Sequence, residues 1–357
     1  MFAYETHAVR VVFGPDALAA LPDVLVRIGI GRVVVVTTSG RAAERSKVIE
    51  GLGTACVGVF DRAVVHVPAD LVRDALEQRA RCDADSVLAL GGGSAIGLAK
   101  AMALETSLPV IAIPTTYSGS EMTAVWGITD ARAKRTGRDR RVAPRAVLYE
   151  PALTVTLPPE TSAASGMNAI AHCVEALYAV DGNPVASLLA DAGLRTLARS
   201  LPEIVRHPAD LTARSDALLG GHLAGRALDM TSMGLHHKLC HVLGGSFGLP
   251  HALTHAIVLP YVVAYNAPAA PAAMFAVTDA LRSENAWMGL RALNRALGIT
   301  RTLADLGFRE ADLDRAAELT TQGAYPNPRP VTRLGVRAVL EEALAGEPPA
   351  LFEDRAP

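Results

Sequence analysis

Two kinds of apolar pattern divide the chain. GRVVVVTTSG at 31–40, DSVLALGGGSAIGLAK at 85–100 and LPVIAIPTTYSGSE at 108–121 each carry an unbroken apolar run that ends abruptly in small polar residues. A run with no polar alternation predicts a strand buried on both faces, as in a parallel sheet covered by helices. Helix-length segments such as LVRDALEQRARC at 71–82 lie between these runs, and the alternation predicts a doubly wound, Rossmann-like α/β domain. The Arg- and Lys-rich stretch ARAKRTGRDRRVAPRAV at 131–147 reads as a solvated hairpin or loop.

From about residue 160 the apolar positions recur at helical spacing, as in TSAASGMNAIAHCVEALYAV at 161–180 and SLLADAGLRTLARSLPEIV at 187–205. No strand pattern, internal repeat or low-complexity tract follows. The expected organisation is an α/β domain over 1–155 and a mainly helical domain over 156–357.

Composition narrows the partners. With 357 residues, 50% hydrophobic and 20% charged, the chain is long enough for two well-filled cores and is not a disordered sequence. A net charge of −2 gives no electrostatic basis for binding nucleic acid or an anionic membrane, so a small molecule is the expected partner. Cys56, Cys82, Cys173 and Cys240 show no CxxC spacing, and the N-terminus shows no apolar signal core. A reduced, cytoplasmic protein is expected.

The first candidate chemistry sits where the VLAL strand meets Gly91, Gly92, Gly93 and Ser94 at the start of a helix. Backbone N–H groups without Cβ atoms around them can approach a pyrophosphate, and the positive helix end favours its charge. The spacing matches neither GxxxxGK[ST] nor GxGxxG. Thr115, Thr116 and Ser118 leave the next strand at its carboxyl end, where ligands of open α/β sheets bind. The second candidate is a histidine cluster. His236, His237, His241, His251 and His255 fall within twenty residues, with His237/His241 and His251/His255 each one helical turn apart. Asn168 and His172 repeat that spacing on another apolar helix. So many imidazoles on apolar helices imply a shared purpose: a metal, an anionic substrate or proton transfer.

Taken together, the GGGS turn, the PTT…GSE segment and the histidine-bearing helices resemble the iron-containing alcohol dehydrogenase superfamily over essentially the whole chain. GSAIGLAK, YSGSEMTAVWGIT, GLHHKLCHVLGG and YPNPRPVTR look specifically like the maleylacetate reductases within it. Gly97 stands where the wider superfamily has Asp. The resemblance would put the superfamily's metal ligands on Asn168, His172, His237 and His251, with His241 beside them as an active-site histidine. Asn168 replaces an Asp ligand of the alcohol dehydrogenases, and a neutral amide is a weak ligand for a hard divalent ion. A tightly bound metal is therefore not expected.

The resemblance implies reduction of the C=C bond of maleylacetate, or a substituted form, to 3-oxoadipate with NADH or NADPH, in the catabolism of aromatic compounds. The cofactor would lie on Gly91, Gly92, Gly93, Ser94, Thr115, Thr116, Ser118 and Ser39. Ser39, where an acidic residue would repel a 2′-phosphate, leaves both dinucleotides acceptable. His241 and His251 are the expected enolate stabilisers or proton donors, with His172, His237 and Asn168 completing the pocket. His255 is expected to be an ordinary packed or exposed histidine. Arg329 is the candidate clamp for a substrate carboxylate, and a homodimer is implied. Leu253 and Tyr261 depart from the polar residues expected in such reductases, which points to altered pocket walls. Two other readings stay open. A metal-dependent alcohol or polyol dehydrogenase would lose turnover on chelation. A non-catalytic family member would bind nucleotide or metabolite without consuming NADH.

Overall fold

The computed structural model describes residues 2–130 and 133–349, and the chain divides into two compact units. One holds Glu5–Leu157 together with Ala209–Leu218. The other holds Pro158–Pro208 and the chain from Leu219, with the first residues up to Tyr4. The sequence pattern contains the change of character near 155, but not the return of 209–218 to the first unit.

The first unit is built on strands β1 (Arg10–Phe13), β2 (Val33–Val36), β3 (Cys56–Phe60), β4 (Ser86–Gly91) and β5 (Val110–Pro114), a hairpin of β6 (Val125–Asp130) and β7 (Ala133–Arg138), and β8 (Ala146–Tyr149). Six of them form one parallel sheet in the order β1-β8-β5-β4-β2-β3. Helices α1 (Leu21–Ile28), α2 (Ala42–Leu52), α3 (Ala69–Arg81) and α4 (Gly93–Thr106) connect its strands. The unbroken apolar runs are explained by two cores. Val34, Val36, Val87 and Ala89 point to one that includes Ile96, Leu98 and Met102 of α4. Val33, Val35, Leu88 and Leu90 point to another with Leu21, Val24, Leu25 and Val48 of α1 and α2. Each such Val, Leu or Ile contributes roughly 1.5–3 kcal/mol when buried. Alternate residues thus serve opposite faces, and neither face has room for a polar side chain.

The central strands β2, β4 and β5 are those the pattern predicts. Edge strands β1 and β3 are short and partly exposed, which weakens their signal. The basic stretch is in part the expected hairpin, with β7 paired antiparallel to β6; its Ala131 and Arg132 lie outside the described residues. Its last residues begin the wholly buried β8.

The second unit is helical, with no strand among its described residues. It contains α5 (Pro159–Leu177), α6 (Pro184–Arg206), the latter part of α7 (Leu211–Asp229), α8 (Leu235–Phe247), α9 (His251–Asn266), α10 (Pro271–Leu281), α11 (Ala286–Ala296), α12 (Leu313–Thr321) and α13 (Arg333–Ala345). Helices α5, α8 and α9 matter most for function: α5 packs on α9, and α9 on α8. No described helix is long and apolar enough to cross a membrane.

Candidate active site

At the carboxyl end of the sheet the chain leaves β4 through Gly91, whose φ of +148° favours glycine. Gly92 caps α4 with no side-chain partner for the helix's first N–H groups, which leaves them directed at whatever anion is present. A Cβ on Gly92 would lie 2.6 Å from Thr116 Cγ2, whereas one on Gly93 would meet nothing within 4 Å. Gly92 therefore lets the two turns approach each other, and Gly93 borders open space that a ligand can use.

The loop after β5 is tied to this turn by Thr115 N donating to Gly91 O at 3.0 Å. The hydroxyls of Thr115, Ser118 and Ser120, and that of Thr37 beyond β2, are buried without a hydrogen-bond partner. Unsatisfied buried hydroxyls are rare and mark a place where a ligand or solvent completes the network. Ser39 is exposed just beyond Thr37.

Three buried charged residues hold this loop. Lys100 of α4 donates from Nζ to Ser120 O (2.6 Å), Thr123 Oγ1 (2.9 Å) and Val125 O (3.0 Å). Glu121 accepts from the Tyr149 hydroxyl at 2.8 Å, and burial pushes its carboxyl above the usual carboxylate range. Arg214, fully buried on α7, donates to Tyr117 Oη at 2.8 Å and to Leu157 O at 3.0 Å.

In the helical unit, Asn168, His172 and Glu175 occupy one face of α5 at i, i+4 and i+7. His172 stacks on His237 of α8 with ring centres 4.9 Å apart. His237 and His241 are 6.3 Å apart, and His241 stacks with His251 of α9 at 6.0 Å. The structure thus brings together Asn168, His172, His237, His241 and His251.

The cluster has a buried part and an open part. Asn168, His172, His236, His237 and His255 are buried, whereas His241 and His251 are half-buried. Burial, reinforced by neighbouring imidazoles, holds His172, His236 and His255 well below the usual histidine pKa, so all three are neutral at pH 7. Asn168 Oδ1, His172 Nδ1 and His237 Nε2 are buried without partners.

Two residues make contacts that the sequence does not reveal. His255 is packed, not exposed: its Nδ1 lies 3.0 Å from His236 Nε2 and its ring centre 4.5 Å from that of His251. Cys240 Sγ is 3.8 Å from His236 Nε2, which groups His236, Cys240 and His255 as possible metal donors, although burial pushes the thiol well up. Arg329 has a structural task, donating from Nη1 to Tyr265 O at 2.9 Å and lying 4.5 Å over the Tyr265 ring. It fastens its own loop to α9. Tyr261 likewise turns its hydroxyl to Arg291 at 2.9 Å.

Glu175 is the site residue that inspection of the histidines misses. It is fully buried and accepts from His237 Nδ1 at 2.5 Å, from the amides of His236 and His237 at 3.0 and 3.3 Å, and from the Tyr178 hydroxyl at 3.3 Å. The available signal is its i+7 spacing from Asn168.

Comparison with known proteins matches residues 8–151 to the family model "Iron-containing alcohol dehydrogenase" and residues 162–344 to "Fe-containing alcohol dehydrogenase family, C-terminal". A maleylacetate reductase of Burkholderia cepacia is 47% identical over 349 residues, covering 98% of this chain and 99% of the relative. One from Sphingobium indicum is 46% identical over 348 residues, again 98% of this chain and 99% of the relative. The crystal structure of maleylacetate reductase from Agrobacterium tumefaciens superposes with a TM-score of 0.93 at 41% identity, over 98% of this chain and 99% of that one.

Proposed function

The chain belongs to the iron-containing alcohol dehydrogenase family, and from that premise we propose that it reduces the C=C bond of maleylacetate to give 3-oxoadipate. It is an oxidoreductase that uses NAD(P)H and a small-molecule substrate. The observation that carries the reading is the makeup of the polar face: an amide and imidazoles, with a neighbouring carboxylate, Glu175, bonded away to His237 and two backbone amides. Among these described residues none presents a free carboxylate to a dianionic enone.

The family name implies iron. Asn168, His172, His237 and His251, at the matching positions, supply an amide oxygen and three imidazoles but no anionic ligand. Both oxygens of Glu175 are occupied by N–H donors, so it cannot stand in for the missing Asp. Without an anionic ligand this donor set holds a borderline ion such as iron or zinc less tightly than a set that includes an Asp would, and no step below uses one.

Gly91, Gly92, Gly93, Ser94, Thr115, Thr116 and Ser118 would hold the dinucleotide diphosphate, with Ser39 near its ribose. When bound, the reduced nicotinamide supplies a hydride to the alkene carbon β to the ketone. The electron pair of the C=C bond then moves toward the ketone oxygen as an enolate. His241 and His251, the half-buried members of the cluster, donate hydrogen bonds to that oxygen or deliver the proton to the α carbon. His172 and His237 form the floor of the pocket beside Asn168. Addition of one hydride and one proton completes the reduction, and a homodimer is the assembly we expect.

NADH deuterated at the transferred position tests the bond that reacts. Deuterium should appear in 3-oxoadipate at the carbon β to the ketone, where it cannot wash out by enolisation. Label on a carbinol carbon instead, from reduction of the ketone, would contradict the proposal.

A further inference from the structure

Helix α8 begins at Leu235 behind Gly234, an N-cap with no side chain to satisfy the first amides of the helix. Those amides are nonetheless paired, and the partners come from distant segments. Asn327 Oδ1 accepts from Leu235 N at 3.2 Å, and the two oxygens of Glu175 accept from His236 N and His237 N. The bare Gly234 makes this possible, because a Cβ there would lie 2.8 Å from Asn327 Oδ1 and 3.2 Å from Glu175 Oε1. Glu175 therefore caps α8 from α5, across sixty-one residues in the case of His236.

The same carboxylate reaches the His237 ring. Every group facing it in these contacts is a donor: two amides, the Tyr178 hydroxyl and imidazole Nδ1. A carboxylate that accepts at both oxygens requires a proton on His237 Nδ1. The other ring nitrogen, Nε2, is buried without a partner, on a ring stacked against His172.

We propose that Glu175 is the positioning residue of the active site, fixing His237 as the Nδ1–H tautomer and locking the face of α5 that carries Asn168 and His172 to the start of α8. Two functions thus share one carboxylate: the end of a helix and the tautomer of a ring.

This role rests on the enone-reductase reading, but the resting tautomer can be measured without substrate. In wild-type protein carrying 15N-histidine, long-range 15N–1H correlation should show a proton on His237 Nδ1; a ring protonated on Nε2 alone would overturn the proposal. Failure of maleylacetate turnover with the Nδ1 tautomer present would count against the reaction, not against the tautomer. Kinetically, Glu175→Gln replaces one accepting oxygen with a donor and should lower kcat by roughly 10–100-fold, with KM for NADH nearly unchanged. In a His237→Gln background the same change should have almost no further effect on kcat, because Glu175 acts through that ring. Equal fold-losses in the two backgrounds would mean a merely structural cap and overturn the proposal. Should Glu175→Gln fail to fold, the wild-type tautomer decides.

Discussion

Replacing His251 or His241 by glutamine is expected to lower kcat by about 10² or more, the usual scale for losing a general acid or an oxyanion donor. These two histidines differ from the rest of the cluster in being half-buried, so a substrate and solvent protons can reach them. Their rings stack at 6.0 Å across α8 and α9, close enough for both to face one substrate. NADH binding should be almost unaffected, because the Gly91–Gly93 turn and the loop after β5 belong to the other unit. His207, exposed at the end of α6, is the proper control, and His207→Gln should leave kcat intact. His255 does not serve as one: its hydrogen bond to His236 makes His255→Gln a core substitution, expected to lower melting temperature. Small, equal kcat losses at His241 and His251 in well-folded protein would move the proton donor elsewhere.

Arg214→Met should be the most destabilising substitution among the buried charges of the α/β unit. The guanidinium is fully buried, and its loss removes a hydrogen-bond donor from Tyr117 Oη and from Leu157 O. Buried groups that lose a donor cost about 1–3 kcal/mol each, so a total near 3 kcal/mol is expected. At about 2–4 °C per kcal/mol for proteins of this size, differential scanning calorimetry should record a fall of roughly 6–12 °C. Because Tyr117 lies between Thr116 and Ser118, KM for NADH should rise as well. An unchanged melting temperature would show that the loop is held by Lys100 and Glu121 alone.

How far the sequence speaks for this molecule depends on how local each signal is. β2, β4 and β5 are legible because burial on both faces removes every polar residue from four or five positions in a row. The i, i+4 pairs Asn168/His172 and His237/His241 are legible because imidazoles and amides stand out on apolar helices. Lys100, Arg214 and Glu175 were not, since a charge on a helix ordinarily faces solvent, and their partners lie twenty to ninety-seven residues away. Arg329 is a further case: its hold on the Tyr265 carbonyl and ring, sixty-four residues away, leaves no trace in the sequence. The return of residues 209–218 to the first unit is equally invisible, because only tertiary contacts such as Arg214 with Tyr117 define it.

The most direct measurement is NADH oxidation by the purified protein with freshly generated maleylacetate, before and after exhaustive chelation. The amide of Asn168, the neutral imidazoles around it and the engaged carboxylate of Glu175 predict stoichiometric conversion to 3-oxoadipate at a rate that survives the chelator. No NADH consumption with maleylacetate, or activity lost on chelation and restored by iron or zinc, would contradict it.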